Sequence, residues 1–247
     1  MDRTLKMLVI AIAAAPLLII PAFASADPLV VGHFSTLSDG DPLPDGWEPM
    51  TFDDIDSHTR YTAVQDGDAG AIRADSRASA SGLIRKIEID PAAYPIIQWR
   101  WKAANVLEAG DVRKKSGDDY PARIYITFAY DPDRVGFFKK ARYEAVRLAY
   151  GEYPPLGAIN YIWASHAPVG TSVPNPYTDQ VRMIVTRSGS KHLGTWLTER
   201  RNIVEDYRRA FGEDPPKISG VAVMTDTDNT GESATAFYGD IVFLSDQ

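Results

Sequence analysis

Three observations make this sequence a mostly β protein, an antiparallel sandwich or barrel. Short runs rich in β-branched and aromatic residues recur at 60–64, 70–74, 82–89, 96–102, 122–130, 160–165 and 180–186, with a shorter one at 194–196. Turn formers separate them and little helical periodicity lies between most of them, which argues against a parallel βα sheet. The third is the strict alternation of Ile96-Ile97-Gln98-Trp99-Arg100-Trp101-Lys102. It puts Ile97, Trp99 and Trp101 on one face of a strand and Gln98, Arg100 and Lys102 on the other. Large rings dominate cores, so the tryptophans are expected to point inward.

Taken in order, the chain opens on a segment that reads as a secretory leader. Arg3 and Lys6 precede an apolar stretch broken by Pro16 and Pro21, and Ala24-Ser25-Ala26 follows as a cleavage site. Cleavage after Ala26 would leave 27–247 as one domain, periplasmic or secreted, with no transmembrane anchor. The chain has no cysteine, which excludes disulfides, thiolate metal sites and thiol nucleophiles, so stability has to come from the core. The formal net charge of −7 disfavours generic nucleic-acid binding.

Residues 39–47 are dense in Asp, Gly and Pro and end on Trp47, a surface loop that plants a ring as a lid on the core. Two helices interrupt the strands. In 199–211, Ile203, Val204, Tyr207, Ala210 and Phe211 share one helical face. Thr198 serves as the expected N-cap, Gly212 as the residue past the C-terminus, and Pro215-Pro216 as the stop. The second helix, 138–150, reads as an insertion. Arg134, Lys139, Lys140, Arg142 and Arg147 stand there against Glu144, either a solvated face or a contact for an anionic glycan or membrane surface. The runs 221–225 and 236–243 close the chain as a hairpin around an acidic loop.

That loop holds the densest chemistry. Asp226, Asp228 and Thr230 fall at positions one, three and five, and Gly231 at six, as in the opening half of an EF-hand calcium loop. The second half does not match, because position twelve is Phe237. A calcium ion held by Asp226, Asp228 and Thr230 would therefore need a further ligand, Glu232, Asp240 or a distant carboxylate. Without an ion the same residues make ordinary turns. Earlier, Asp118 and Asp119 stand at the mouth of a strand with Arg123 close behind, a salt-bridged turn or a carboxyl with a tuned pKa. No nucleophile elbow and no phosphate-cradling loop is present, and the four histidines form no zinc spacing.

Trp99-Arg100-Trp101, Gly117-Asp118-Asp119 with Arg123, and Asp226-Thr227-Asp228-Asn229-Thr230-Gly231 with Tyr238-Gly239-Asp240-Ile241 recur in one order, with Trp196, Asp206-Tyr207 and Phe211-Gly212 between them. As a set, over 31–243, they resemble the bacterial exported family called Domain of Unknown Function 3047. The resemblance implies a jelly-roll-like β-sandwich akin to carbohydrate-binding modules, and it implies no activity. The basic helical segment 134–150 is longer than the resemblance implies, so a function placed there would be peculiar to this protein.

The functional expectation is a module that binds a glycan or another small polar ligand through Arg100, Asp118, Asp119, Arg123, Asp226, Asp228, Asn229 and Asp240. A glycan hydrolase or lyase using the carboxylates, and a structural envelope protein, stay open as alternatives. Strand alternation puts Arg100 on a polar face, and loops at one end of a sandwich cluster. Arg100, Asp118, Asp119, Arg123, Asp226, Asp228 and Asp240 are therefore expected to converge on one region.

Overall fold

The computed structural model describes residues 27–245, except the side chains of 149 and 150. The leader expected at 1–26 lies outside the described residues. Thirteen strands and two helices follow one another: β1 (Leu29–Gly32), β2 (Trp47–Met50), β3 (Arg60–Asp66), β4 (Ala69–Arg77), β5 (Ala80–Ile89), β6 (Ile96–Ala103), β7 (Arg123–Phe128), α1 (Phe137–Tyr150), β8 (Gly157–Ala164), β9 (Ser172–Asn175), β10 (Thr178–Ser188), β11 (Leu197–Asn202), α2 (Ile203–Phe211), β12 (Ile218–Asp226) and β13 (Ser233–Leu244). They build a mostly β, jelly-roll-like sandwich of two sheets. One sheet runs β11-β6-β13-β4-β3 with β1 also on β13, and the other runs β2-β5-β12-β7-β8-β10-β9. Every pair is antiparallel except β8 with β10, which are joined through the longer 165–177 connection that a parallel pair requires.

The tryptophans fill the interior, as the alternation predicts. Trp99 and Trp101 are fully buried and meet edge to face at 5.4 Å. From the facing sheet, Tyr161 stacks on Trp99 at 5.0 Å and Trp163 leans on Trp101 at 5.9 Å. Truncating such a ring to alanine costs about 3–5 kcal/mol. Trp47 closes one edge of this core against Phe34 at 5.0 Å and donates its indole N–H to the Val31 carbonyl.

Two expectations are corrected. Residues 198–202 are not the first turn of a helix but part of β11, paired with β6 in the register Thr198↔Arg100 to Asn202↔Ile96. The edge of β6 would otherwise leave its backbone groups unpaired. Asn202, not Thr198, caps α2, its side chain accepting from the Glu205 N–H at 3.0 Å; Gly212 ends the helix in the left-handed region at φ 78°, where glycine is favoured. Likewise 194–196 is a turn and the strand begins at Leu197.

The second correction concerns the end of the chain. β12 and β13 do not form a hairpin, because they lie in different sheets. The acidic loop is an arch that crosses the sandwich. Tyr238 on β13 reaches over to β12, where its hydroxyl meets the Met224 carbonyl at 2.6 Å and the Thr225 hydroxyl at 2.8 Å. A cluster of buried hydroxyls holds the foot of the arch, with Thr227 Oγ1 2.8 Å from Ser76 Oγ and the Thr227 N–H given to the Ser79 carbonyl at 2.9 Å. Two strands brought face to face this way pair with distant strands, not with each other.

Candidate functional site

On β7, Ile124, Ile126 and Phe128 enter the core, so alternation turns Arg123 and Tyr125 to the outer face of the seven-stranded sheet. The same rule sends Asp226 and Met224 of β12 outward, since Val221 and Val223 are core residues. Asn160 of β8 goes the same way, between Ile159 and Tyr161. A cleft of about 480 Å³ opens on this face. Its lining includes Asp118, Arg123, Tyr125, Asn175, Asp226, Asp228 and Asn229, with Phe52 and Tyr177 among the residues at its sides. The last two rings are exposed, by 38% and 55%, with the Lys115 ammonium over the Tyr177 ring at 4.8 Å.

Arg123 is the hub. Its Nη2 is paired with Asp226 Oδ2, and both side chains are buried. The guanidinium lies 5.1 Å from the Tyr120 ring and 5.4 Å from the Tyr125 ring. Asp226 Oδ1 accepts from the Tyr120 N–H at 3.3 Å, so both of its oxygens are engaged. Asp119 is engaged as well: Oδ1 accepts from the Asn229 backbone and amide at 3.3 and 3.2 Å, and Oδ2 from the Thr230 N–H at 2.6 Å. Asp119 thus ties the 117–120 loop to the arch. The expected salt-bridged turn is replaced by a pair across two strands.

Other buried polar atoms have no partner within the protein. Arg123 Nε and Nη1, Asp118 Oδ1 and both amide atoms of Asn160 are buried and unpartnered. Asp118 Oδ2 accepts from the Asn175 amide at 2.7 Å, and the Tyr120 hydroxyl, 3.3 Å from Met183 Sδ, also interacts with the Asp118 carboxyl. Unpaired buried polar groups are rare in native proteins and point to water or a ligand.

The local field is acidic. Asp118, Asp119, Asp226 and Asp228 crowd around one guanidinium. Burial pushes the Asp226 carboxyl well above the usual range, and Asp119, Asp118 and Asp228 add to that while Arg123 opposes it. Burial also raises Asp118, with Arg123 opposing, and raises Asp228, with Asp119 adding to the effect. One oxygen from each of Asp119, Asp226 and Asp228 lies within 4.8 Å of the others, close enough to share a metal ion. An ion there would share Asp226 with Arg123.

Of the residues proposed from sequence, Asp118, Asp119, Arg123, Asp226, Asp228 and Asn229 come together. Arg100 and Asp240 do not. Arg100 lies on the outer face of the other sheet, its guanidinium 5.0 Å from the Trp196 ring, beside Lys102, which is paired with Asp66. Asp240 binds Ser35, accepting its N–H at 2.8 Å and its hydroxyl at 2.7 Å. The alternation that placed Arg100 on a polar face did not say which sheet that face belonged to. The additional carboxylate of the metal trio is the distant Asp119, since Glu232 accepts from the Glu108 and Ala109 N–H groups. Thr230 gives its backbone N–H to Asp119 Oδ2, and its hydroxyl oxygen accepts from the Glu232 N–H at 3.4 Å.

Sequence reasoning missed Phe52, Tyr125, Asn175 and Tyr177. For Tyr177 a signal existed: Pro174-Asn175-Pro176-Tyr177 plants a ring after turn formers, as the loop ending at Trp47 does. Among the described residues no helix is long and apolar enough to cross a membrane.

Solved structures resemble this architecture at low identity. The family 11 carbohydrate-binding module of the cellulosomal cellulase Lic26A-Cel5E of Clostridium thermocellum matches at 10% identity and TM-score 0.41, over 87% of this chain and 96% of its own. The Emp47p carbohydrate recognition domain matches at 11% and 0.42, over 89% and 98%. Endoglucanase 3 of Trichoderma harzianum, from family GH12, matches at 9% and 0.38, over 83% and 100%. Binding modules and an enzyme stand side by side here, and no function is taken from them. No curated protein matches this chain in sequence. The sequence profile described as "Protein of unknown function (DUF3047)" matches residues 45–242, most of the sandwich and the whole cleft, and the chain belongs to that family.

Proposed function

We propose that this protein is exported and binds a glycan in the cleft on the outer face of the seven-stranded sheet, without altering it. The observation that carries this reading is the set of buried, unpartnered atoms on residues that line the cleft: Arg123 Nε and Nη1 and Asp118 Oδ1. Sugar hydroxyls both donate and accept, so one ligand class serves the guanidinium and the carboxylate together. The exposed rings of Phe52 and Tyr177 offer the apolar faces on which a pyranose stacks. Four carboxylates around one guanidinium favour a neutral sugar over a uronate or sulfated one. Binding is favoured over turnover because Asp119 and Asp226, the most buried of the carboxylates, spend their oxygens on the protein's own donors.

The test is a panel of neutral and acidic polysaccharides, scored by affinity electrophoresis and by release of reducing or unsaturated ends. Binding to a neutral polymer without product is expected, and Asp118→Asn should weaken it about tenfold, or 1.4 kcal/mol. Product formation would turn the reading into an enzyme. Absence of binding to every polymer would refute it.

For the carboxylate trio we propose Ca2+, a hard cation that takes oxygen ligands in flexible geometry. The supporting observation is three ligand oxygens within 4.8 Å in a field with excess negative charge. Binding to the native state alone would stabilise it by about 2.7 kcal/mol at a hundredfold excess over Kd. Calcium should raise the melting temperature and chelator lower it. Coincident melting curves would dismiss the ion.

A further inference from the structure

Among the described side chains of helix α1, one is buried against the sandwich. Tyr143 is 4% exposed, stacks on Tyr130 at 4.3 Å and donates its hydroxyl to the Pro155 carbonyl at 3.0 Å. An amphipathic helix attached this way should turn a polar face outward. This one does the opposite. Phe137, Phe138 and Leu148 are exposed by 78%, 88% and 78%, and Ala141 and Ala145 are exposed with them. At about 100° per residue these five fall within an arc of about 100°. They form a continuous apolar stripe along the outermost line of the helix.

Cations border the stripe on both sides. Lys140 and Arg147 follow one edge and Arg142 the other. Among the described residues neither Lys140 nor Arg142 takes part in an ion pair, whereas Arg147 pairs with Glu144 at 3.1 Å. Glu144, the one acid on the helix, also receives the Tyr153 hydroxyl at 2.5 Å, so its charge is taken up by Arg147 and Tyr153. The rest of the chain is acidic enough to leave a net charge of −7. This helix is therefore the face by which the molecule can approach a negative surface.

We propose that α1 docks the protein on a phospholipid bilayer with anionic headgroups, the helix lying in the interface with Phe137, Phe138 and Leu148 among the acyl chains and Lys140 and Arg142 at the phosphates. An apolar stripe flanked by cations is what an interfacial helix needs, and basic side chains near such a surface gain from its negative potential. Charge decides among the occupants. A second copy docked through the same stripe would set Lys140 and Arg142 near their own counterparts. A glycan surface would satisfy the cations and stack on the two rings, but it would leave the aliphatic part of the stripe, Ala141, Ala145 and Leu148, in water.

The chain has no cysteine, so a single introduced one takes a label uniquely. Ala145→Cys carrying an environment-sensitive fluorophore, in the full chain, is mixed with vesicles of phosphatidylcholine containing phosphatidylglycerol, and with phosphatidylcholine alone. A blue shift is expected with the anionic vesicles, and none from the same label at Ser190→Cys, in a turn away from α1. Residues 1–26 cannot produce that site-specific difference. Adding Phe137→Ser, Phe138→Ser and Leu148→Ser should weaken the response at least tenfold, and Lys140→Glu with Arg142→Glu should abolish the preference for phosphatidylglycerol. The proposal is overturned by an unshifted label at position 145, by equal response to both vesicles, or by a wild-type dimer that the serine variant dissociates.

Discussion

Replacing Arg123 by methionine keeps most of the side-chain volume and removes the charge. Asp226 would then stand buried with no counter-charge and with Asp119, Asp118 and Asp228 nearby. Breaking a buried pair from one side costs about 3–5 kcal/mol, and both partners here are at most 5% exposed, so solvent screening does not reduce the figure. For a domain of this size that lowers Tm by roughly 6–20 °C, at 2–4 °C per kcal/mol. The loss should depend on pH. Asp226 is already held above its ordinary value, so the native state binds that proton more tightly than the unfolded chain does. Stability attributable to this group therefore falls as pH rises from the unfolded carboxylate range near 4 through the native value. Without Arg123 the native value climbs further, and the window of instability widens upward. Urea unfolding at about pH 5 and about pH 8 reads this directly, with the larger loss expected at the higher pH. Arg123→Met combined with Asp226→Leu should recover most of the loss, because an apolar pair replaces an ionic one. A single-variant loss below about 1 kcal/mol, equal at both pH values, would place the pair among ordinary surface bridges and refute the reasoning.

Tyr238→Phe removes the hydroxyl shared by Met224 and Thr225 across the sandwich; a loss of about 1–3 kcal/mol is expected in denaturant unfolding. At Gly117 an added Cβ would lie 2.6 Å from the Asp111 nitrogen and 2.8 Å from the Ala109 oxygen, both backbone, so Gly117→Ala should cost about 1–3 kcal/mol and displace Asp118 and Asp119, visible as weaker glycan binding. Asn202→Ala takes away the cap of α2 and should cost about 1 kcal/mol, read as a lower midpoint with an unchanged urea slope.

How much could be read in the chain follows from which information is local. The inward tryptophans were legible because alternation within one strand fixes faces. The cluster of Asp118, Asp119, Arg123, Asp226, Asp228 and Asn229 was legible because carboxylates at strand ends gather where loops gather. Arg100 was misplaced because alternation does not say which of two sheets owns a face, and Asp240 because β13 was expected beside β12 and lies in the other sheet. The arch read as a hairpin because strand, turn and strand look alike in both. What separates them is the pairing of β13 with β4 and β6, more than 130 residues away in sequence for most contacts and invisible to any local window. The first turn expected at 199 was overridden by the need of β6 for an edge partner, a tertiary demand that outweighs helical periodicity.

The position of β13 also governs when the molecule can fold. The last strand in chain order is the central one of its sheet, paired with β1, β4 and β6. Until it is synthesised, β4 has only β3, β6 has only β11, and β1 has no strand partner at all. Half of the sandwich therefore waits for residues 233–244, and closure has to bring together segments separated by most of the chain, which is the arrangement that slows folding. A nascent chain held before that point would expose the tryptophan face of β6, and a chaperone would meet an unfolded substrate, not a finished domain.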